Sequence, residues 1–177
     1  PCQVRNKKAM EQLPGEAVVL KATHACPTEK VFKPRLNEVD GTVADTGFPD
    51  ELSLKLGAKV MIIHNIDVAD GLVNGQLGDL VDFVRTKAGR VDKLVIRLKD
   101  PRAGTDHRRK FPMLEQQYPG CVFIGRCNHP YHLSKKSGEV GTAASVIQFP
   151  VVVAFCLTCH KIQGQSIIHP ATVAMDL

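Results

Sequence analysis

Apolar and polar positions alternate over short spans along most of this chain, and turn-forming residues separate the spans. "VRNKKAMEQLP" is different: Val4, Met10 and Leu13 fall at roughly helical spacing, and Pro14-Gly15 predicts where that helix stops. "EAVVLKATH" alternates as a strand does. Residues 25–51 carry Pro27, Pro34, Gly41, Gly47 and Pro49, which predicts a long surface loop. "LSLKLGAKVMIIHN" then predicts a strand, a turn at Gly57 and a buried strand. In "VADGLVNGQLGDLVDFVRT" the Asn74-Gly75 pair predicts a turn, with Gly78 just before the next strand. "DKLVIRLKD" and "GCVFIGR" are two further strands, bounded by Lys-Asp-Pro and Pro-Gly. Several short strands at close spacing suggest a small barrel. A strand over 145–149 ends at Pro150, and "VVVAFCLTCHKIQ" continues either as strand or as helix, with Gly164 placed to cap a helix. "ATVAMDL" reads as a last strand.

Composition narrows the classes. At 177 residues the chain is long enough to bury a core, and 44% hydrophobic with 23% charged residues is globular composition. The longest apolar run, 150–157, is far short of the roughly 18 residues a membrane helix needs. "PCQVRNKKAM" shows no apolar stretch of the signal-peptide kind. Six cysteines spread over this length do not form the dense pattern of a disulfide scaffold, so reduced thiols in an intracellular setting are expected.

The net charge of +5 and the pI near 9.0 suit a phosphate-bearing partner. The basic clusters are Lys7-Lys8, residues 107–110 and Lys135-Lys136, each of which equally suits a solvated loop. With no tryptophan and 5% aromatics, phosphate contact is expected over base stacking.

One stretch, "CLTCHKIQGQS" at 156–166, supports two chemistries. Cys156, Cys159 and His160 spell the C-x-x-C-H of haem attachment. That pattern is three fixed letters at the end of an apolar run, with only Met175 following it as a candidate second axial ligand. Zinc has two candidate sets: Cys156 with Cys159, and Cys121, Cys127, His129 and His132. The second has an over-long Cys–Cys gap and a very short Cys–His gap for a structural site. Nucleophilic catalysis by Cys159 and His160 is disfavoured because sequence neighbours point different ways.

Three blocks carry a resemblance. "NKKAMEQLPGE" (6–16), "LSLKLGAKVMIIHNIDVADGLVNGQLGDLV" (52–81) and "QFPVVVAFCLTCHKIQGQS" (148–166) resemble, in order and spacing, the Pif/RecD-like helicases of superfamily 1B, especially the Pif-type and Helitron-transposon enzymes. The third block is similar to their motif V. The resemblance departs at Ile162, Cys156, Cys159 and Ile147, where the family usually has other residues; both cysteines of the haem pattern therefore fall at variable positions.

What the resemblance implies is specific. The fold is α/β, a partial RecA-like second motor domain over 1–78 and 146–177 with an inserted small SH3-like β-barrel over 79–145. Thr158, His160 and Lys161 would lie beside a single-stranded DNA backbone, where a lysine neutralises phosphate. Gln163, Gly164 and Gln165 would lie at the nucleotide cleft. Asn74-Gly75 is either a plain tight turn or a loop edge near DNA.

The parent enzyme would use ATP and Mg²⁺ to move 5′ to 3′ on DNA. The chain contains no G-x-x-x-x-G-K-[ST] phosphate loop and ends at "VAMDL", before the family's motif VI arginine. It is therefore expected to need no cofactor alone and to be inactive alone, as an excised or degenerate C-terminal half. Its expected partners are single-stranded DNA and a first RecA-like domain, with no membrane. Its expected location is nuclear or mitochondrial if eukaryotic. The alternative is a stand-alone, non-catalytic nucleic-acid-binding module derived from such a helicase.

Overall fold

The computed structural model describes residues 2–26, 34–38, 41–43, 46–132 and 143–157. Helix α1 (Cys2–Gln12) is followed by strands β1 (Val18–Lys21), β2 (Thr23–Ala25), β3 (Glu51–Leu54), β4 (Lys59–Ile62), β5 (Leu77–Arg85) and β6 (Val91–Leu98). Two short helices, α2 (Thr105–Arg109) and α3 (Pro112–Gln117), precede β7 (Val122–Gly125), β8 (Cys127–His132), β9 (Ala143–Gln148) and β10 (Val151–Val153). No helix among the described residues is long and apolar enough to cross a membrane.

The strands form a two-stranded sheet β1-β3, a five-stranded sheet β10-β4-β5-β6-β7 and a three-stranded sheet β2-β9-β8, and every pairing is antiparallel. The architecture is thus mixed α/β with several antiparallel sheets. The described pairings leave β10 and β7 as the edges of the larger sheet, and do not close it into a barrel. The division expected at 78/79 falls inside β5, whose first residues pair with β4 and whose run from Gly78 to Arg85 pairs with β6. Gly78, expected just before this strand, is its second residue.

Burial explains the assembly. Leu94, Ile96 and Leu98 of β6 face one cluster with Leu20, Leu54, Ile62, Leu80 and Phe149, while Val95 faces another with Cys121 and Phe123. A strand buried on both faces reads as a continuous apolar run, which is what "LVI" shows. Helix α3 and the residues flanking it cover the second face with Phe111, Leu114 and Tyr118. Met10 and Leu13 dock α1 on the first cluster, and Lys55 Nζ donates to the Leu13 carbonyl at 2.9 Å.

Several expectations need adjusting. The strand predicted over 16–24 is broken at Ala22, whose N–H turns to the Asp50 carbonyl at 2.8 Å, so the two halves join different sheets. The long surface loop includes core: Val43 is 0% and Phe48 1% exposed, in a third cluster with Tyr131 and Val146. The bridges Leu36–Val43 and Thr42–Pro49 tie it together. Helices α2 and α3, between two predicted strands, carry no strong periodicity and are set by their contacts. The last predicted strand lies outside the described residues.

Candidate nucleic-acid interface

Strands β5 and β6 form a long hairpin whose register shifts twice, between Leu80 and Asp82 and between Val84 and Arg85. Such bulges bend a ribbon and increase its twist. The hairpin turn at 86–90, closed by the Thr86 N–H to the Arg90 carbonyl at 2.8 Å, lines one side of a cleft, and β1 lines the other. The cleft encloses about 670 Å³. Five cationic side chains, Lys21, Arg85, Arg90, Lys93 and Arg126, line it against the single acid Asp92.

These cations differ in freedom. Arg126 is engaged: its guanidinium donates to the Lys21 carbonyl at 2.9 Å and to Gln148 Oε1 at 3.2 Å, and it lies 4.7 Å from the centre of the Phe149 ring. Burial pulls its guanidinium down from the ordinary arginine value. Arg85 donates to the Gly89 carbonyl at 3.0 Å at an exposed position, and Lys21 pairs with Glu51 at 3.0 Å in solvent. Pairs of that exposed kind are weak enough to exchange for a phosphate partner. The cleft is a concave, net positive surface with hydrogen-bond donors, which suits a phosphodiester chain.

The knot at its base was not foreseen. Gln148 is fully buried, donates to the Leu20 carbonyl at 2.8 Å and to the Pro49 carbonyl at 3.3 Å, and accepts from the Phe149 N–H at 3.0 Å and from Arg126. The Gln-Phe-Pro letters were legible as part of a motif. Their physical meaning, an amide joining three segments, depends on residues far away in sequence.

The expected DNA and nucleotide residues Thr158, His160, Lys161, Gln163, Gly164 and Gln165 lie outside the described residues, as do Lys135-Lys136. Asn74-Gly75 is a turn that delivers the chain into β5. Gly75 has φ +96°, its N–H donates to the Ile62 carbonyl at 2.8 Å, and the Asn74 N–H donates to Asn65 Oδ1 at 2.8 Å. It ends a long excursion from β4 and does not close a two-residue hairpin.

The basic run 107–110 falls on α2 and just beyond it, with its groups engaged locally. His107 donates through Nε2 to the Phe123 carbonyl at 3.0 Å. Arg108 donates to the carbonyls of Ala103 and Pro101 and to Thr105 Oγ1, Arg109 pairs with Asp106 at 2.6 Å, and Lys110 with Asp67 at 3.5 Å. Asp70 accepts from the N–H groups of Asp106 at 2.9 Å and His107 at 2.7 Å, capping α2 from a distant loop. Burial works against the Asp70 anion, but these two donors outweigh it and hold its carboxyl below the usual range.

The candidate zinc set is divided. Cys121 packs beside Phe123, while Cys127 packs beside Phe48 and Tyr131, and His129 stacks on Phe48 at 5.1 Å. Among the described residues no three His, Cys, Asp or Glu side chains are grouped to hold a metal.

Comparison with known proteins agrees with the motif reading. Residues 41–83 match the family model "DNA helicase Pif1, 2B domain". The chain is 29% identical over 135 residues to the ATP-dependent DNA helicase PIF7 of Trypanosoma brucei brucei, covering 68% of this chain and 13% of that protein. It is 25% identical over 189 residues to the ATP-dependent DNA helicase PIF1 of Emericella nidulans, covering 92% and 24%. The chain thus spans a quarter or less of these curated relatives. Among solved structures, Pif1 helicase from Candida albicans superposes with a TM-score of 0.57 at 25% identity, over 93% of this chain and 34% of that one. Bacteroides Pif1 bound to ssDNA shares the fold, with a TM-score of 0.56 at 19% identity over 93% and 30%. In motif order, family model and fold, the chain is similar to the Pif1/RecD-like superfamily 1B helicases, and residues 41–83 match their 2B domain.

Proposed function

We propose that this chain is the part of a Pif1-type helicase that holds single-stranded nucleic acid, acting as a non-catalytic binding module. The observation that carries it is the cleft between β1 and the β5–β6 hairpin, with five cations against one acid. Gln148 holds the Arg126 guanidinium in place, so one of the five charges is fixed and the exposed ones are free to adapt to a phosphate. The finer division, RecA-like segments at 1–78 and 146–177 around an SH3-like insert at 79–145, rests on the resemblance and belongs to this proposal. So do the roles of Thr158, His160 and Lys161 at the DNA backbone, and of Gln163, Gly164 and Gln165 in coupling to a nucleotide cleft.

ATP and Mg²⁺ belong to the parent enzyme. The described residues offer neither a phosphate loop nor a grouped acidic set, so no phosphoryl-transfer step is assigned to them. A first motor domain is the proposed partner, and an intracellular, nuclear or mitochondrial location is the proposed setting.

Anisotropy of a labelled oligothymidylate tests the reading. Binding is expected at low salt and declines steeply as salt rises, because each phosphate contact releases a counterion. Lys161→Ala weakens it. No binding at low salt, or binding indifferent to salt, overturns the proposal.

A further inference from the structure

Helix α1 and the end of β10 meet although 154 residues separate Cys2 from Cys156 in sequence. Their thiols stand 3.1 Å apart, Sγ to Sγ, and both are half-buried, free cysteines. Asn6, one turn after Cys2 on the same face of α1, holds the backbone there. Its Nδ2 donates to the carbonyls of Val153 at 3.2 Å and Cys156 at 3.0 Å, and its Oδ1 accepts the Cys156 N–H at 2.7 Å. Three hydrogen bonds from one amide therefore fix where Cys156 sits relative to α1. A disulfide needs the sulfurs to approach by only about 1 Å more. The docking of α1 through Met10 and Leu13 holds the remaining degrees of freedom.

We infer that Cys2 and Cys156 are a reversible thiol–disulfide modification site that ties α1 to the segment leading out of β10. The oxidant is a low-molecular-weight disulfide such as oxidised glutathione. One cysteine loses its proton and attacks a glutathione sulfur, forming a mixed disulfide and releasing one glutathione thiolate. The other cysteine, likewise deprotonated, attacks the protein sulfur of that mixed disulfide. The Cys2–Cys156 bond forms, the second glutathione leaves, and the two protons pass to the two glutathione thiolates. A disulfide of this kind in a reducing compartment is transient and sensing in character, not structural. The inference does not depend on the nucleic-acid reading. It gives Cys156 a role that neither haem attachment nor motif V supplies.

The test equilibrates the full chain in glutathione buffers of graded oxidation, followed by intact-mass measurement, non-reduced peptide mapping and thermal unfolding. The expected product has lost two hydrogens, joins the peptides that carry Cys2 and Cys156, and reverts with dithiothreitol. Closing so long a loop raises the unfolding midpoint by roughly 5 °C or more. Cys2→Ser, on the helix surface, abolishes the product and the shift, as does Cys156→Ser; Cys159→Ser retains both. A Cys156–Cys159 linkage overturns the proposal, as does stable glutathionylation without a cross-link.

Discussion

The two basic regions of this molecule contrast in how their charge is assembled. The run 107–110 is contiguous in sequence, and local structure engages each of its members, with carbonyls, a hydroxyl, Asp106 and Asp67 as partners. The cleft draws Lys21, Arg85, Arg90, Lys93 and Arg126 from β1, the β5–β6 hairpin and the β7–β8 junction, and no two of them are adjacent in sequence. A charge run is thus a poor guide to a charged surface. Both regions pair two cations with carboxylates, Arg109 with Asp106 and Lys110 with Asp67 in the run, Lys21 with Glu51 and Lys93 with Asp92 at the cleft. The difference is that the cleft gathers its cations from separate strands around one concavity.

The largest expected effect strikes the structural side of the contrast. Gly104 opens α2 with φ +78°, and a Cβ there would lie 2.4 Å from Val122 Cγ1 and 3.1 Å from Leu72 Cδ2. Gly104→Ala is expected to cost about 3 kcal/mol or more in urea unfolding, from overpacking together with a left-handed backbone. Asp70→Ala removes the remote cap and is expected to cost about 1–2 kcal/mol. Because the folded Asp70 carboxyl lies below its ordinary value, the stabilisation is present above the unfolded pKa and disappears as pH falls through the folded one. Wild type and variant should converge in acid.

The functional side breaks through the cleft. Arg85→Ala with Arg90→Ala is expected to weaken oligothymidylate binding about tenfold at low salt. It should also reduce the salt slope by about 1.4, some 0.7 per lost phosphate contact. Arg109→Ala, in the basic run, is expected to leave affinity and slope unchanged. Equal losses in both variants would erase the contrast.

The smallest effect is on pH dependence. Burial depresses His107, more than its bond to the Phe123 carbonyl raises it, so the folded chain takes up its proton less readily than the unfolded chain. Stability therefore falls as pH drops from about 6.5, the unfolded value, toward the lower folded one. His129, depressed by burial and by neighbouring His64, adds in the same direction. His107→Gln should flatten, but not abolish, the fall in unfolding midpoint between neutral and mildly acidic buffer.

Much of this was legible beforehand. Strands β3 to β7 follow from alternation and from turn residues at Gly57, Asn74-Gly75 and Pro119-Gly120, because both signals are local. The resemblance to the helicase family was legible because its signature blocks are long enough to be specific. The core role of Val43 and Phe48 was hidden by the prolines and glycines around them, which say where a chain turns but not what it packs against. The cleft was hidden because its cations are scattered singly along the sequence.

The sequence alone determined most of the segments that extend, the turns at Gly57 and Asn74-Gly75, and the resemblance to a helicase family, since each depends on neighbours along the chain. Tertiary structure decided which cations share a cleft, which carboxylates stand beside them, and that Cys2 meets Cys156. These are matters of distance between residues dozens of positions apart, and a one-dimensional pattern carries no term for that distance.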